Sequence, residues 1–138
     1  MYATKLDVDG NIKHKARYVA KGYSQKENVD YRETFSPTAH MTSVRMLMQA
    51  VVDNDMIAHQ MDVKTAYLNA PIDCELYIEQ PEGYDVQNKV DRKLVWKLEK
   101  SLYRLKQSGR NWNNLLHPHL CKDGFEQSDA GPCILNVF

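Results

Sequence analysis

Strand and helix signals follow one another along this chain without strict alternation, and that irregular order narrows its fold most. A doubly wound parallel sheet needs β and α segments in turn, so the expected class is α+β. The sharpest local signal is Asp9-Gly10, set between KLDV and IKHKARYVAKG. Asp-Gly between extended runs marks a hairpin, here with strands from Tyr2 to Val8 and from Ile12 to Ala20. Gly22 to Pro37 is polar and broken, which predicts an ordered connection with little regular structure.

After Pro37, Thr42 or Ser43 is placed to cap a helix in which Val44, Leu47, Met48, Val51 and Val52 recur at helical spacing, with Asn54 as its stop. That stripe is expected to be core. Ile57 to Asp62 then reads as a short strand, and Thr65 to Asn69 as a helical turn before Pro71. Leu76-Tyr77-Ile78 and Leu94 to Leu98 are expected strands, parted by a polar loop around Pro81-Glu82-Gly83. Ser108 to Cys121 has helical character through Trp112, Leu115, Leu116 and Leu120, with Pro118 expected to kink or end it. Cys133 to Phe138 predicts a last strand.

Nothing in the sequence divides the 138 residues into independent domains, and a 43% hydrophobic content suits one core. No apolar run is long enough for a bilayer and the first residues lack a signal-peptide core, so no membrane partner and an intracellular setting are expected. Cys74, Cys121 and Cys133 are far apart and read as reduced thiols. The five histidines form no ligand set. Formal net charge is zero, yet its distribution is uneven. Met1 to Lys26 holds six basic and two acidic residues, and Val86 to Arg110 eight and two, whereas Asp62 to Asp85 holds six acidic residues and one lysine. Basic segments around an acidic middle suit a protein holding phosphates on its walls and a cation at its centre, although solvated surface charge has the same composition.

The most informative stretch is HQMDVKTAYLNAPIDCELYIEQPEGY. A carboxylate such as Asp62, at a strand end, can meet others from a neighbouring strand and share two magnesium ions about 4 Å apart for in-line phosphoryl transfer. On chemistry alone, an Asp after a strand is more often a helix cap. Three further strings stand in order around it: KARYVAKGYSQ, YRETFSPTAHMTSVRMLM and KLEKSLYRLKQSGRNW. Together the four resemble the reverse transcriptases of Ty1/copia-type retrotransposons, from about Lys13 to Cys133.

The resemblance implies a fold of fingers and partial palm within one reverse transcriptase domain piece, residues 1–138, with thumb and RNase H absent. It implies that Asp62 and the Val63 carbonyl bind Mg2+, and that Tyr67 lies under the incoming sugar, rejecting a 2′-hydroxyl by crowding. Lys15 and Arg17 alternate with Ala16 and Tyr18 on a strand and would hold the triphosphate. Tyr103 to Gly109 resembles the second polymerase motif, beside nucleotide and template. Similar proteins usually read SLYGLKQSPRQW there, whereas this chain has Arg104 for the glycine and Gly109 for the proline. Arg104 is thus expected to border and obstruct the nucleotide cleft. Partners implied are an RNA or DNA primer-template and a dNTP, in the cytoplasm or a virus-like particle. The family's Tyr-x-Asp-Asp turn is expected just beyond the last strand, with Asp129 on the wrong side of that strand to replace it. The 138 residues are therefore expected to be inactive in polymerisation. A nucleic-acid-binding remnant and an interaction module with exposed β edges are the alternatives.

Overall fold

The Asp7–Asn11 segment closes the first hairpin by local bonding. The Asp7 Oδ1 accepts from the amides of Asp9 (3.0 Å) and Asn11 (2.8 Å), and Gly10 takes a φ of 82°, which costs glycine little. In this computed structural model, which describes residues 1–84 and 94–137, the hairpin joins β1 (Tyr2–Leu6) to β2 (Ile12–Ala16). The strands are antiparallel with Tyr2 opposite Ala16 and Leu6 opposite Ile12. β2 ends at Ala16 rather than Ala20, because β1 offers it no partner past Met1. From there the chain turns to other contacts, the Ala20 amide donating to the Tyr103 carbonyl at 3.1 Å.

A 3-10 turn (Gly22–Ser24) interrupts the polar connection. There follow α1 (Met41–Asp53), α2 (Ala66–Asn69), β3 (Tyr77–Glu79), β4 (Val95–Lys97), α3 (Ser108–Lys122), β5 (Glu126–Gln127) and β6 (Leu135–Asn136). Among the described residues the strands form three separate antiparallel pairs, β1 with β2, β3 with β4 and β5 with β6. Helices beside small antiparallel sheets make the class α+β, as expected.

Five local expectations need correction. Ile57 to Asp62 is not a strand but irregular and exposed, since no neighbouring segment among the described residues completes a ladder with it. The last strand, expected over Cys133 to Phe138, is confined to Leu135–Asn136, because its partner β5, brought close by a short reversal after α3, is itself two residues long; Phe138 lies outside the described residues. α1 is preceded by His40, and neither Thr42 nor Ser43 caps it, both lying inside its first turn. Its apolar stripe is not core: no α1 residue is buried, and Leu47 and Val52 are 50% and 75% exposed. Periodicity establishes that a helix has an apolar face, not what covers it. Finally, α3 continues through Pro118 to Lys122. Asn114 and Pro118 are both exposed, so the carbonyl that loses its amide partner there is open to water.

The apolar core is small. Ala20, Leu76 and Leu105 form its centre, with Ile72, Cys74, Leu98 and Leu102 packed around them. Beside it lies a buried polar hub comprising Ser101, Gln107, Ser108 and Asn111. Gln107 accepts from Gln25 Nε2 (3.0 Å) and donates to the Asp30 carbonyl (2.9 Å). Asn111 Nδ2 donates to Ser101 Oγ (3.1 Å) and Asp73 Oδ1 (3.2 Å). Among the described residues no buried side-chain nitrogen or oxygen lacks a partner, as burial of polar atoms requires.

Candidate functional site

Three residues expected at the site, from three distant segments, meet in space. Arg17, one residue past β2, is held by paired backbone bonds with Met1: its amide donates to the Met1 carbonyl (2.9 Å), and the Met1 amine donates to the Arg17 carbonyl (3.0 Å). Its guanidinium lies 5.6 Å from the centroid of the Tyr103 ring, a cation–π distance. Tyr67, on α2, packs against the same ring at 4.9 Å between centroids, tilted by 52°. The approach follows from the backbone. Ala70, fully buried at the end of α2, accepts from the Ser101 amide (2.9 Å), which fixes α2 beside the loop carrying Tyr103.

Arg104 follows in that loop with a φ of 72°, a left-handed conformation that suits glycine and strains a long side chain. Its Nη2 donates to Met1 Sδ at 3.7 Å. A buried glycine, Gly22, packs against its backbone so tightly that an added Cβ would overlap the Arg104 carbonyl oxygen and lie 2.9 Å from its carbon. Gln25 closes the contact, its Oε1 accepting from the Lys106 amide at 2.9 Å. The strings YVAKGYSQ and YRLKQS are thus one interlocked unit. The quoted strings contained Gly22, Gln25 and Gln107, but isolated glutamines and a glycine in a polar run have no periodicity to mark them as buried.

A second tie places this unit against β3. Tyr18 donates its hydroxyl to the Glu79 carbonyl (2.7 Å) and meets Trp96 edge-on at 6.2 Å. Burial, and then the Glu79 carboxylate, raise the Tyr18 hydroxyl above the ordinary tyrosine range. An open groove of about 770 Å³ runs beside it, lined in part by Lys21, Gln25, Leu76 and Leu105.

The remaining expected residues are more dispersed. Lys15 lies on β2 opposite Ala3, exposed. Asp62 and Val63 are exposed on the irregular stretch between α1 and α2. Among the described residues no three His, Cys, Asp or Glu side chains converge as metal ligands. Asp62 with one backbone carbonyl does not match the donor set of paired magnesium ions, which need several carboxylates. Part of the second basic segment, residues 86–93, falls outside the described residues.

Residues 1–136 match the family described as "Reverse transcriptase (RNA-dependent DNA polymerase)", and the chain belongs to that family. Within it the chain is of the Ty1/copia retrotransposon type, by its similarity to Pol polyproteins. It is 39% identical over 133 residues to the retrovirus-related Pol polyprotein from transposon TNT 1-94 of Nicotiana tabacum, covering 94% of this chain and 10% of that one. To the Pol polyprotein from transposon RE2 of Arabidopsis thaliana it is 38% identical, covering 93% of this chain and 9% of the relative. To the transposon Ty1-ER2 Gag-Pol polyprotein of Saccharomyces cerevisiae it is 35% identical, covering 88% and 7%. The chain therefore spans about a tenth or less of the curated relatives it matches. No solved structure matches it. Among the described residues, no helix is long and apolar enough to cross a membrane.

Proposed function

We propose that residues 1–138 are the fingers and first part of the palm of an RNA-directed DNA polymerase, and that they bind a nucleotide and a primer-template without completing the transfer chemistry. The meeting of Arg17, Tyr103 and Tyr67 carries this reading, because it joins a guanidinium, suited to phosphate, to a packed pair of aromatic rings. In the proposed pocket, Lys15 and Arg17 hold the triphosphate, Lys15 as a point charge and Arg17 through its planar fork. Tyr67 and Tyr103 lie beneath the sugar, where Tyr67 crowds a 2′-hydroxyl. Arg104 borders the pocket and narrows it. Asp62 contributes one carboxylate beside the Val63 carbonyl, too few donors to hold paired ions. An intracellular setting, cytoplasm or virus-like particle, accompanies this reading.

Titration with dNTP and rNTP tests it. Arg17→Ala and Tyr103→Ala are expected to weaken dNTP binding, and Tyr67→Ala to narrow the preference for dNTP over rNTP. A dNTP affinity that none of the three changes alters would overturn the pocket.

A further inference from the structure

The register of the first hairpin sorts its side chains onto two faces, because residues directly opposite in an antiparallel pair share a face and alternate residues repeat on it. Lys5 stands opposite Lys13, Ala3 opposite Lys15, and Met1 opposite Arg17. One face therefore carries Lys5, Lys13, Lys15 and Arg17, all exposed. Among the described residues the ion pairs are Lys21 with Glu79 and Lys97 with Glu75, so none of the four is paired. Asp7, at the turn end of this face, is engaged by the loop amides of Asp9 and Asn11 and by the Asn11 side chain. Two lysines directly opposed on an exposed hairpin repel one another, so this arrangement lowers the hairpin's own stability unless an anion lies across it.

Successive cations on one strand are about 7 Å apart, and the row ends at Arg17, over the Tyr103 ring. A linear polyanion matches such a row, its phosphates lying along the lysines on the way to the nucleotide pocket. We infer that the Lys5–Lys13 pair is a track for the sugar–phosphate backbone of a single nucleic-acid strand running toward the nucleotide pocket at Lys15, Arg17 and Tyr103. The inference rests on the nucleotide-pocket reading and adds to it two residues, Lys5 and Lys13, together with a direction of approach for the strand.

The probe is a fluorescently labelled oligothymidylate titrated with the 138-residue chain over a range of salt concentrations, beside the double variant Lys5→Gln/Lys13→Gln. Removing two single-strand phosphate contacts lowers the slope of log affinity against log salt by about 1.4, which is a loss of roughly 25-fold at 0.1 M salt vanishing toward 1 M. Lys122→Gln, which removes one charge at the end of α3, is expected to leave the slope nearly unchanged. A double variant with the unaltered slope, a loss equal to that from Lys122→Gln, or an unaltered chain that does not bind the oligomer would each overturn the track. Titration of dNTP on the same samples separates the two readings. Unchanged dNTP affinity in the double variant with weakened oligomer binding supports the track, whereas unaltered protein that fails to bind dNTP overturns the pocket alone.

Discussion

Replacing Gly22 with alanine tests whether the interlock between the first and second basic segments holds the chain together. The added methyl group would overlap the Arg104 carbonyl oxygen and lie 2.9 Å from its carbon, both backbone atoms that cannot rotate away. The segments must part, and two bonds spanning the contact lie in the path: Ala20 to Tyr103, and Lys106 to Gln25. Losing them costs about 1 kcal/mol each, and leaving the buried Gln107 amide short of a partner adds about 1–3 kcal/mol. The sum, about 3–5 kcal/mol, is a large part of a small domain's stability. Gly109→Ala is the control, because its nearest neighbour would be Ser36 Cβ at an ordinary 3.7 Å within a helical turn. It is expected to be neutral or to stabilise by up to about 1 kcal/mol. Urea unfolding followed by circular dichroism gives both values. A Gly22→Ala loss below about 1 kcal/mol with an unchanged denaturant slope would refute the interlock as described.

Arg104→Gly relieves a left-handed residue and is expected to stabilise the chain by about 0.5–1 kcal/mol after glycine's own entropy cost; it should also tighten dNTP binding, and equal affinities would count against the narrowing of the pocket. Burial pushes the Cys74 thiol up, outweighing its bond with Gln107, so Cys74 should react with iodoacetamide more slowly than exposed Cys121 and Cys133. Because Cys74 and Tyr18 are both raised, the stability each contributes is complete below the unfolded value and is lost as pH rises through the folded one, so urea midpoints should fall slightly on the alkaline side, solvent damping the part of the 40% exposed Tyr18; a flat profile there would contradict the partial burial of Cys74. The 138-residue chain is expected to show no templated DNA synthesis with magnesium or manganese, and incorporation that disappears in Asp62→Asn would overturn the binding-only reading.

What the sequence made legible was local. Asp9-Gly10 marked the hairpin because the turn's geometry resides in those residues, and helical spacing marked α1 and α3 within a few positions. The strand expected at Ile57 to Asp62 failed because an apolar run carries no information about its hydrogen-bond partner. The exposed face of α1 failed likewise, since amphipathicity is a property of one helix and burial a property of two elements. For the site, family resemblance singled out Arg17, Tyr67 and Tyr103 one by one, while their meeting depends on the Ala70–Ser101 and Ala20–Tyr103 bonds, which no spacing rule foretells. The polar hub was invisible for the same reason: Gln107 looks like a surface residue until Gln25 and Asp30 are brought to it.

That hub also shapes how the chain responds to temperature. The heat capacity gained on unfolding grows with newly wetted apolar area and is reduced by newly wetted polar area. Here the buried apolar side chains among the described residues are Ala20, Ala70, Leu76 and Leu105, set beside buried amides and hydroxyls. The increment per residue should therefore fall below the usual value of about 12–15 cal/mol/K, and the stability curve should be correspondingly shallow. A shallow curve has no sharp optimum: cooling weakens such a chain little, and the enthalpy of its directed bonds changes slowly with temperature.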